Sequence, residues 1–345
     1  MNTFKNSVFV GWLILLFSSS LHSENATSAP NAAVIRKMWS QYFTPVKKSD
    51  LPKKKDSKVV NLGRKLFYER ELSPESNRSC NDCHDLTRYG TNGDAAIEAR
   101  EAGKLRRDVP SLYNLEGLLI MGWDGATKDL KSKTAHSLTN PEECGFDSEK
   151  AVVKRLQSLP SYQKDFQAAF EDSGITFDGT VEALTKFQEG LITRSPFDDF
   201  LLGNDKALSE KQLAGALLFE QKNCSACHTG SAVGGQMIQI AGIIQPWPNK
   251  EDLGHYEVSG NAAHKFAFRV PPLRNVTETA PYFHDHSARS LLRAIRDISL
   301  REQGLYLTFD EILSIEAFLK SFKGEIPTEY IQPPAEVTTS SSPKN

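Results

Sequence analysis

Cys80-Asn81-Asp82-Cys83-His84 and Cys224-Ser225-Ala226-Cys227-His228 are two copies of one pattern in a chain of 345 residues. In each, thiols stand three residues apart and a histidine follows at once. A single copy fits a redox dithiol or half of a zinc site. Two copies set 144 positions apart fit neither well, because paired zinc-ligand motifs usually lie within about 15–20 residues of each other. Covalent haem uses every residue of the pattern: the thiols add to the two vinyl groups, and the histidine sits beneath the iron as its proximal ligand. Cys80, Cys83 and His84 are therefore expected to hold one haem c, and Cys224, Cys227 and His228 a second.

Length and composition agree with this reading. The chain is long enough for two domains of ordinary size. Of its 5 cysteines, four belong to the motifs and only Cys144 is spare, so no disulfide framework is available. With 41 Lys+Arg against 43 Asp+Glu, the charge balance carries no nucleic-acid signature. Residues 1–23 read as a signal peptide: Lys5, an apolar run from Val8 to Phe17, then small residues from Ser18 to Ser23. That run is short for a membrane span, an uncleaved anchor being the alternative. Export to the periplasm is expected, and it fits c-type haem, which is attached outside the bacterial cytoplasm. Residues 24–57 read as a polar linker with a cluster formed by Lys47, Lys48, Lys53, Lys54 and Lys55, continued by Lys58. Residues 329–345, rich in Pro, Thr and Ser toward the end, read as a disordered tail.

Between these ends lies a weak duplication. Gly63, Leu66 and Phe67 precede the first motif, and Gly215, Leu218 and Phe219 precede the second with the same spacing. Apolar residues three and four positions past a glycine form one helix face, and the glycine permits a close crossing. Ser209 and Gln212 make a capping box, as do Thr308 and Glu311. Each half closes on an amphipathic helix, predicted over 180–193 and 309–322. Strand-like alternation is scarce. The fold class expected is mostly α, with two cytochrome c-like haem domains in tandem, 58–198 and 199–328.

On its motifs the chain resembles the bacterial di-haem cytochrome c peroxidase family, including its MauG-type relatives. The likeness runs over about residues 58–325 and rests on motifs in order. They are Leu62-Gly63-Arg64-Lys65-Leu66-Phe67-Tyr68, Arg107-Asp108-Val109-Pro110-Ser111, Trp123-Asp124-Gly125 and Asn140-Pro141-Glu142-Glu143. Ser195-Pro196-Phe197-Asp198 follows, then Phe268-Arg269-Val270-Pro271-Pro272-Leu273-Arg274-Asn275 and Thr279-Ala280-Pro281-Tyr282-Phe283-His284-Asp285. The resemblance implies that the N-terminal haem meets hydrogen peroxide and the C-terminal haem takes electrons from a small donor protein, a cytochrome c or cupredoxin. It implies Glu143 as acid–base catalyst, its pKa raised by a dry pocket, and Trp123 as the relay between haems. It further implies Ca²⁺ between the haems, held by Asp108 and the carbonyls of Thr279 and Pro281. Family members are often dimers, so a homodimer is among the partners considered.

The chain also departs from the family pattern. The stretch 87–107, where the first haem's distal histidine is usual, has none, and Arg100 stands about there. An open or water-bound iron at rest is expected, with His136 the remote substitute ligand. Ile298 falls where a distal methionine or tyrosine serves the second haem. Tyr306, Met237 and His286 are the remote substitutes, His286 replacing a usual glycine. Lys133 replaces a glutamine ten residues before Glu143 and favours its ionised form. Cys144 replaces a frequent methionine. The leading expectation is a periplasmic peroxidase reducing hydrogen peroxide to water. A MauG-like enzyme oxidising Trp or Tyr of a partner protein comes second, and a non-enzymatic electron carrier third.

Overall fold

The computed structural model describes residues 31–52, 57–93, 106–171 and 174–340. Helices dominate, as the scarcity of alternating patterns leads one to expect. The two strands among the described residues, Ile238–Ile240 and Ala267–Arg269, form one antiparallel ribbon with Ile238 opposite Arg269. No described helix is long and apolar enough to cross a membrane. The expected signal segment 1–23 and Arg100 lie outside the described residues.

The duplication seen in the sequence is a duplication of helix packing. In the first half the Lys58–Tyr68 helix, started by the Ser57 hydroxyl accepting from Val60 N at 3.2 Å, crosses the Phe177–Glu189 helix. In the second, the Glu210–Gln221 helix crosses the Phe309–Leu319 helix. Glycine sits at both crossings. A Cβ on Gly63 would lie 1.9 Å from the Ala183 carbonyl oxygen, and one on Gly215 would lie 2.0 Å from that of Ser314. Both capping boxes form: Ser209 N donates to Gln212 Oε1 at 2.8 Å, and Thr308 N to Glu311 Oε2 at 2.8 Å. The first closing helix starts earlier than predicted because Thr176 caps it through Gly179 N, and it ends at Gly190. The second gives way to a 3-10 turn at Lys320–Phe322.

Each crossing anchors a separate core. One gathers Leu62, Leu66, Phe67, Phe166, Leu184 and Phe187; the other gathers Phe197, Phe200, Phe219, Ile315, Phe318 and Phe322. A buried polar seam joins them. Arg274 grips Asp198 with two hydrogen bonds, Nη1 to Oδ2 at 2.8 Å and Nη2 to Oδ1 at 2.5 Å, and neither side chain is more than 2% exposed. Asp198 also accepts from the backbone N–H groups of Ser195 and Val46, both at 2.8 Å. Burial pushes its carboxyl up, but Arg274 and these donors hold it below the usual carboxylate range. Alongside, Asn275 accepts from Gly324 N at 2.9 Å and donates to Thr193 Oγ1 at 2.9 Å, while Thr193 donates to Asn114 at 2.7 Å.

The chain ends differ from the linker and tail expected. Within 24–57, residues Ala32–Trp39 form a helix capped by Asn31, whose Oδ1 accepts from Ala33 N at 3.0 Å. Ile35, Trp39 and Phe43, four apart, make an apolar stripe that the neighbouring lysines mask in composition. Trp39 is fully buried in the second core, its ring 5.5 Å from Phe318. Residues 329–340 are likewise ordered. Tyr330 stacks on Phe187 at 5.3 Å and donates to its carbonyl at 2.7 Å, and Ile331 is 3% exposed in the first core. Residues 32–43 thus pack on the second core, and Tyr330 and Ile331 on the first.

The glycine crossings give a direct test. Gly215→Ala must push two helix backbones apart, an overpacking cost of about 1–3 kcal/mol or more. The expected result is a thermal midpoint lower by roughly 3–10 °C in circular dichroism, with Gly63→Ala behaving alike. An unchanged midpoint would show that the helices are not in contact there.

Candidate functional site: two cavities on a common wall

Each Cys-x-x-Cys-His motif opens onto its own cavity. Cys80, Cys83 and His84 line a space of about 250 Å³; Cys224, Cys227 and His228 line one of about 370 Å³. The histidines are prepared in the same way. His84 Nδ1 lies 3.0 Å from the Gly90 carbonyl, and His228 Nδ1 lies 3.3 Å from that of Val233. A carbonyl can only accept, so Nδ1 carries the proton and Nε2 keeps its lone pair. Burial lowers both pKa values, that of His228 to about 4, so both rings are neutral at pH 7. Val233 presents its carbonyl from φ 57°, a left-handed conformation that a β-branched residue adopts only under strain. That strain is spent on aiming one imidazole.

Does the chain fit two haems? The thiols, the bare imidazole nitrogens and a third observation agree. Arg269 is 3% exposed and lines both cavities, and its Nε meets no hydrogen-bond partner. Burial pulls its pKa down to about 10. A buried guanidinium between two cavities calls for anions inside them, and haem carries two propionates. Sequence reasoning passed over this arginine because nothing local marks it as buried.

The wall between the cavities holds Trp123, which lines both. Its indole Nε1 donates to the Asp108 carbonyl at 2.8 Å, and its own carbonyl accepts from Arg269 N at 2.8 Å. The turn behind it is pinned by Arg107. That guanidinium reaches Asp124 at 2.5 Å and grips Asp252 at 2.6 and 2.8 Å. His284 stacks on Phe268 at 3.9 Å and meets Trp123 edge-on at 6.4 Å. The Arg107 network escaped the sequence reading, since its partners lie 17 to 150 residues away.

Across the first cavity, the Leu130–Thr139 helix and the turn after it supply Lys133, Asn140, Glu143 and Cys144. Glu143 Oε1 accepts from Lys133 Nζ at 2.6 Å and from Asn140 Nδ2 at 2.9 Å. Burial acts to raise the Glu143 pKa, but the Lys133 ammonium overrides it and the net shift is downward. Of the two opposing expectations, a rise from a dry pocket and an ionised form favoured by Lys133, the second decides the sign, helped by a Ser137 hydrogen bond. His136 lines the same cavity from an exposed position, 3.3 Å from Asn140 Nδ2. In the second cavity Ile298 is part of the lining, whereas Met237, Tyr306 and His286 are not. Tyr306 points outward, 82% exposed.

Asp108, Thr279 and Pro281 do line the second cavity together. Thr279 and Pro281 would bring backbone carbonyl oxygens to a calcium site there. Asp108 supplies the single carboxylate, and His286 Nε2 already stands 3.2 Å from its Oδ1. Burial pushes the Asp108 carboxyl above its usual range, with His286 opposing.

Two cavities, each offering paired thiols and a neutral imidazole across a shared aromatic wall, describe a di-haem c-type cytochrome architecture. The comparisons with known proteins agree. A family profile described as di-haem cytochrome c peroxidase matches residues 57–207. The cytochrome c551 peroxidase of Nitrosomonas europaea is 35% identical over 78% of this chain and 81% of its own. That of Pseudomonas aeruginosa is 31% identical over 97% of both. Among solved structures, a MauG-like protein associated with microbial copper homeostasis superposes with a TM-score of 0.70, at 25% identity over 84% of this chain and 96% of that one. The chain belongs to the di-haem cytochrome c peroxidase family, whose cofactors are haems c.

The ion pair in the first cavity gives a signed expectation. Lys133→Gln removes the ammonium, the strongest group opposing burial, so the Glu143 carboxyl should titrate at a higher pH than in the parent. Infrared difference spectra can follow its carboxyl stretch, assigned by its loss in Glu143→Gln. A titration unmoved or moved to lower pH would show that Lys133 does not set the charge on Glu143.

Proposed function

We propose that this chain is a periplasmic peroxidase that reduces hydrogen peroxide to two waters, taking two electrons from a small redox protein and two protons from solvent. The donor is a cytochrome c or a cupredoxin. The observation that carries the reading is Glu143, a carboxylate kept ionised by Lys133 inside the cavity that also holds Cys80, Cys83 and His84. In this reading the two cores with their cavities are cytochrome c-like haem domains, 58–198 for peroxide and 199–328 for electron entry. Residues 1–23 direct export.

Bound through Cys80 and Cys83 with His84 beneath it, the first haem would supply the redox chemistry of O–O cleavage. The protein supplies the proton movement. Ionised Glu143 takes the proton from the inner oxygen of peroxide and returns it to the outer oxygen, which leaves as water. Lys133 favours the carboxylate form, and Lys133 and Asn140 together fix its Oε1. The open face of this cavity is supported by its walls: among the described residues they include His84 and the exposed His136 but no other histidine.

Trp123 and Arg269, lining both cavities, make the shared wall through which electrons cross. Electron entry at the second cavity is supported by an apolar rim. Ile240 and Ile243 line that cavity and are 42% and 51% exposed, and Ile244, 56% exposed, follows them in the chain. Such exposed aliphatic surface beside a redox centre suits a transient protein contact.

The MauG-like alternative, oxidation of Trp or Tyr in a partner protein, draws support from the 0.70 TM-score with a MauG-like structure. Ile298 in the second cavity and an outward Tyr306 speak against it.

Stopped-flow mixing with peroxide and reduced cytochrome c distinguishes these. Steady oxidation of the donor is expected, whereas a long-lived oxidised enzyme that ignores the donor would favour the alternative. Glu143→Gln should slow peroxide turnover by about 10²–10⁴-fold; a near-parental rate would remove this carboxylate from the mechanism. Ile298→Met should place a thioether against the second haem, giving a low-spin spectrum and a higher potential. An unaltered spectrum would mean that residue 298 does not face the iron.

A further inference from the structure

Between the two cavities, Asp108 is tied to its surroundings through three groups. Its backbone N–H donates to the His284 carbonyl at 2.8 Å, its carbonyl accepts from the Trp123 indole at 2.8 Å, and its carboxylate faces His286. The first two bonds join the segment after Arg107 to residues 283–287 and set the plane of Trp123. The third contact is where the family resemblance leads one to expect a calcium ion.

The imidazole competes with such an ion for the same space. Calcium binds oxygen ligands at about 2.3–2.6 Å and takes six to eight of them. Nε2 of His286 stands 3.2 Å from Asp108 Oδ1, and the two side chains are only 3% and 11% exposed. A cation on that oxygen would have to sit against a nitrogen of the ring. Both oxygens of the adjacent Asp285 are already engaged, Oδ2 accepting from Trp247 Nε1 at 2.9 Å and Oδ1 from Ser287 N at 3.2 Å.

The backbone supplies an independent sign. His286 has φ 58°, a left-handed conformation that glycine adopts without strain and a histidine does not. The ring is nonetheless buried there, 7% exposed, and Nε2 and Nδ1 make no aligned hydrogen bond. Among the described residues, the carboxylate beside Nε2 is the one charged group the ring meets within ion-pair distance.

We propose that the His286 imidazole occupies the place of the expected cation, fastening residues 283–287 to Asp108 by a side chain, and that the protein is calcium-independent. The proposal holds whichever reaction the first cavity carries out, so its failure and that of the peroxidase reading are separate events.

Metal analysis and thermal unfolding of the purified holoprotein test it. The parent should contain well under one calcium, or any other divalent metal, per chain besides haem iron. Its thermal midpoint should be unmoved by millimolar calcium or by chelator. His286→Gly removes the ring and relieves the backbone, and it should gain one calcium per chain. Its midpoint should then rise by at least about 3 °C with saturating calcium. Should the glycine variant fold poorly, His286→Asn, which tolerates the same backbone conformation, carries the same expectation. One firmly held calcium in the parent, or no calcium response in the variants, would overturn the proposal.

Discussion

A guanidinium sealed against a carboxylate, Arg274 on Asp198, is the interaction on which the arrangement of the two halves depends. Asp198 lies at the junction of the two halves, in the short Pro196–Leu201 helix that follows the first closing helix. Arg274 lies at the end of the stretch that begins with Arg269 and walls both cavities. With Val46 N on the same carboxylate, three distant parts of the chain meet at one buried charge pair. Such a pair contributes little net stability compared with apolar packing, yet losing one partner strands the other charge and costs about 3–5 kcal/mol. Its value here is specificity of placement: two parallel hydrogen bonds allow one orientation, and the wall between the cavities inherits it.

That wall explains why two similar units can behave differently. Both cavities offer two thiols and a neutral imidazole, but among the described residues the first alone faces a carboxylate held by lysine. The second faces Ile298 and opens beside exposed isoleucines. In the reading proposed above, proton chemistry falls on one side of Trp123 and the protein contact on the other. Asp108 holds the Trp123 indole through its carbonyl, and Arg107 pins the turn behind it through Asp124.

Patterns that act over one or two helical turns were legible in the sequence. The haem motifs, the glycines at the helix crossings, the Ser209–Gln212 and Thr308–Glu311 boxes and the helical class are all of this kind. Lys133 was legible too, because one helix and the turn after it carry both it and Glu143. Which of the two opposing expectations for Glu143 prevails, burial or Lys133, was not, since it depends on a 2.6 Å ion pair. Arg269 and the His286–Asp108 contact were hidden for a related reason: burial and long-range pairing leave no periodic trace. The stripe Ile35, Trp39, Phe43 was overlooked because the surrounding lysines dominate the composition, although a spacing of four was there to be seen.

The exchanged ends have a consequence for biogenesis. Tyr330 and Ile331, which complete the first core, are made after every residue of the second core, whereas Ile35, Trp39 and Phe43 precede all the other residues of the core they join. In order of synthesis the first core therefore gains its last members only once the second has been made in full.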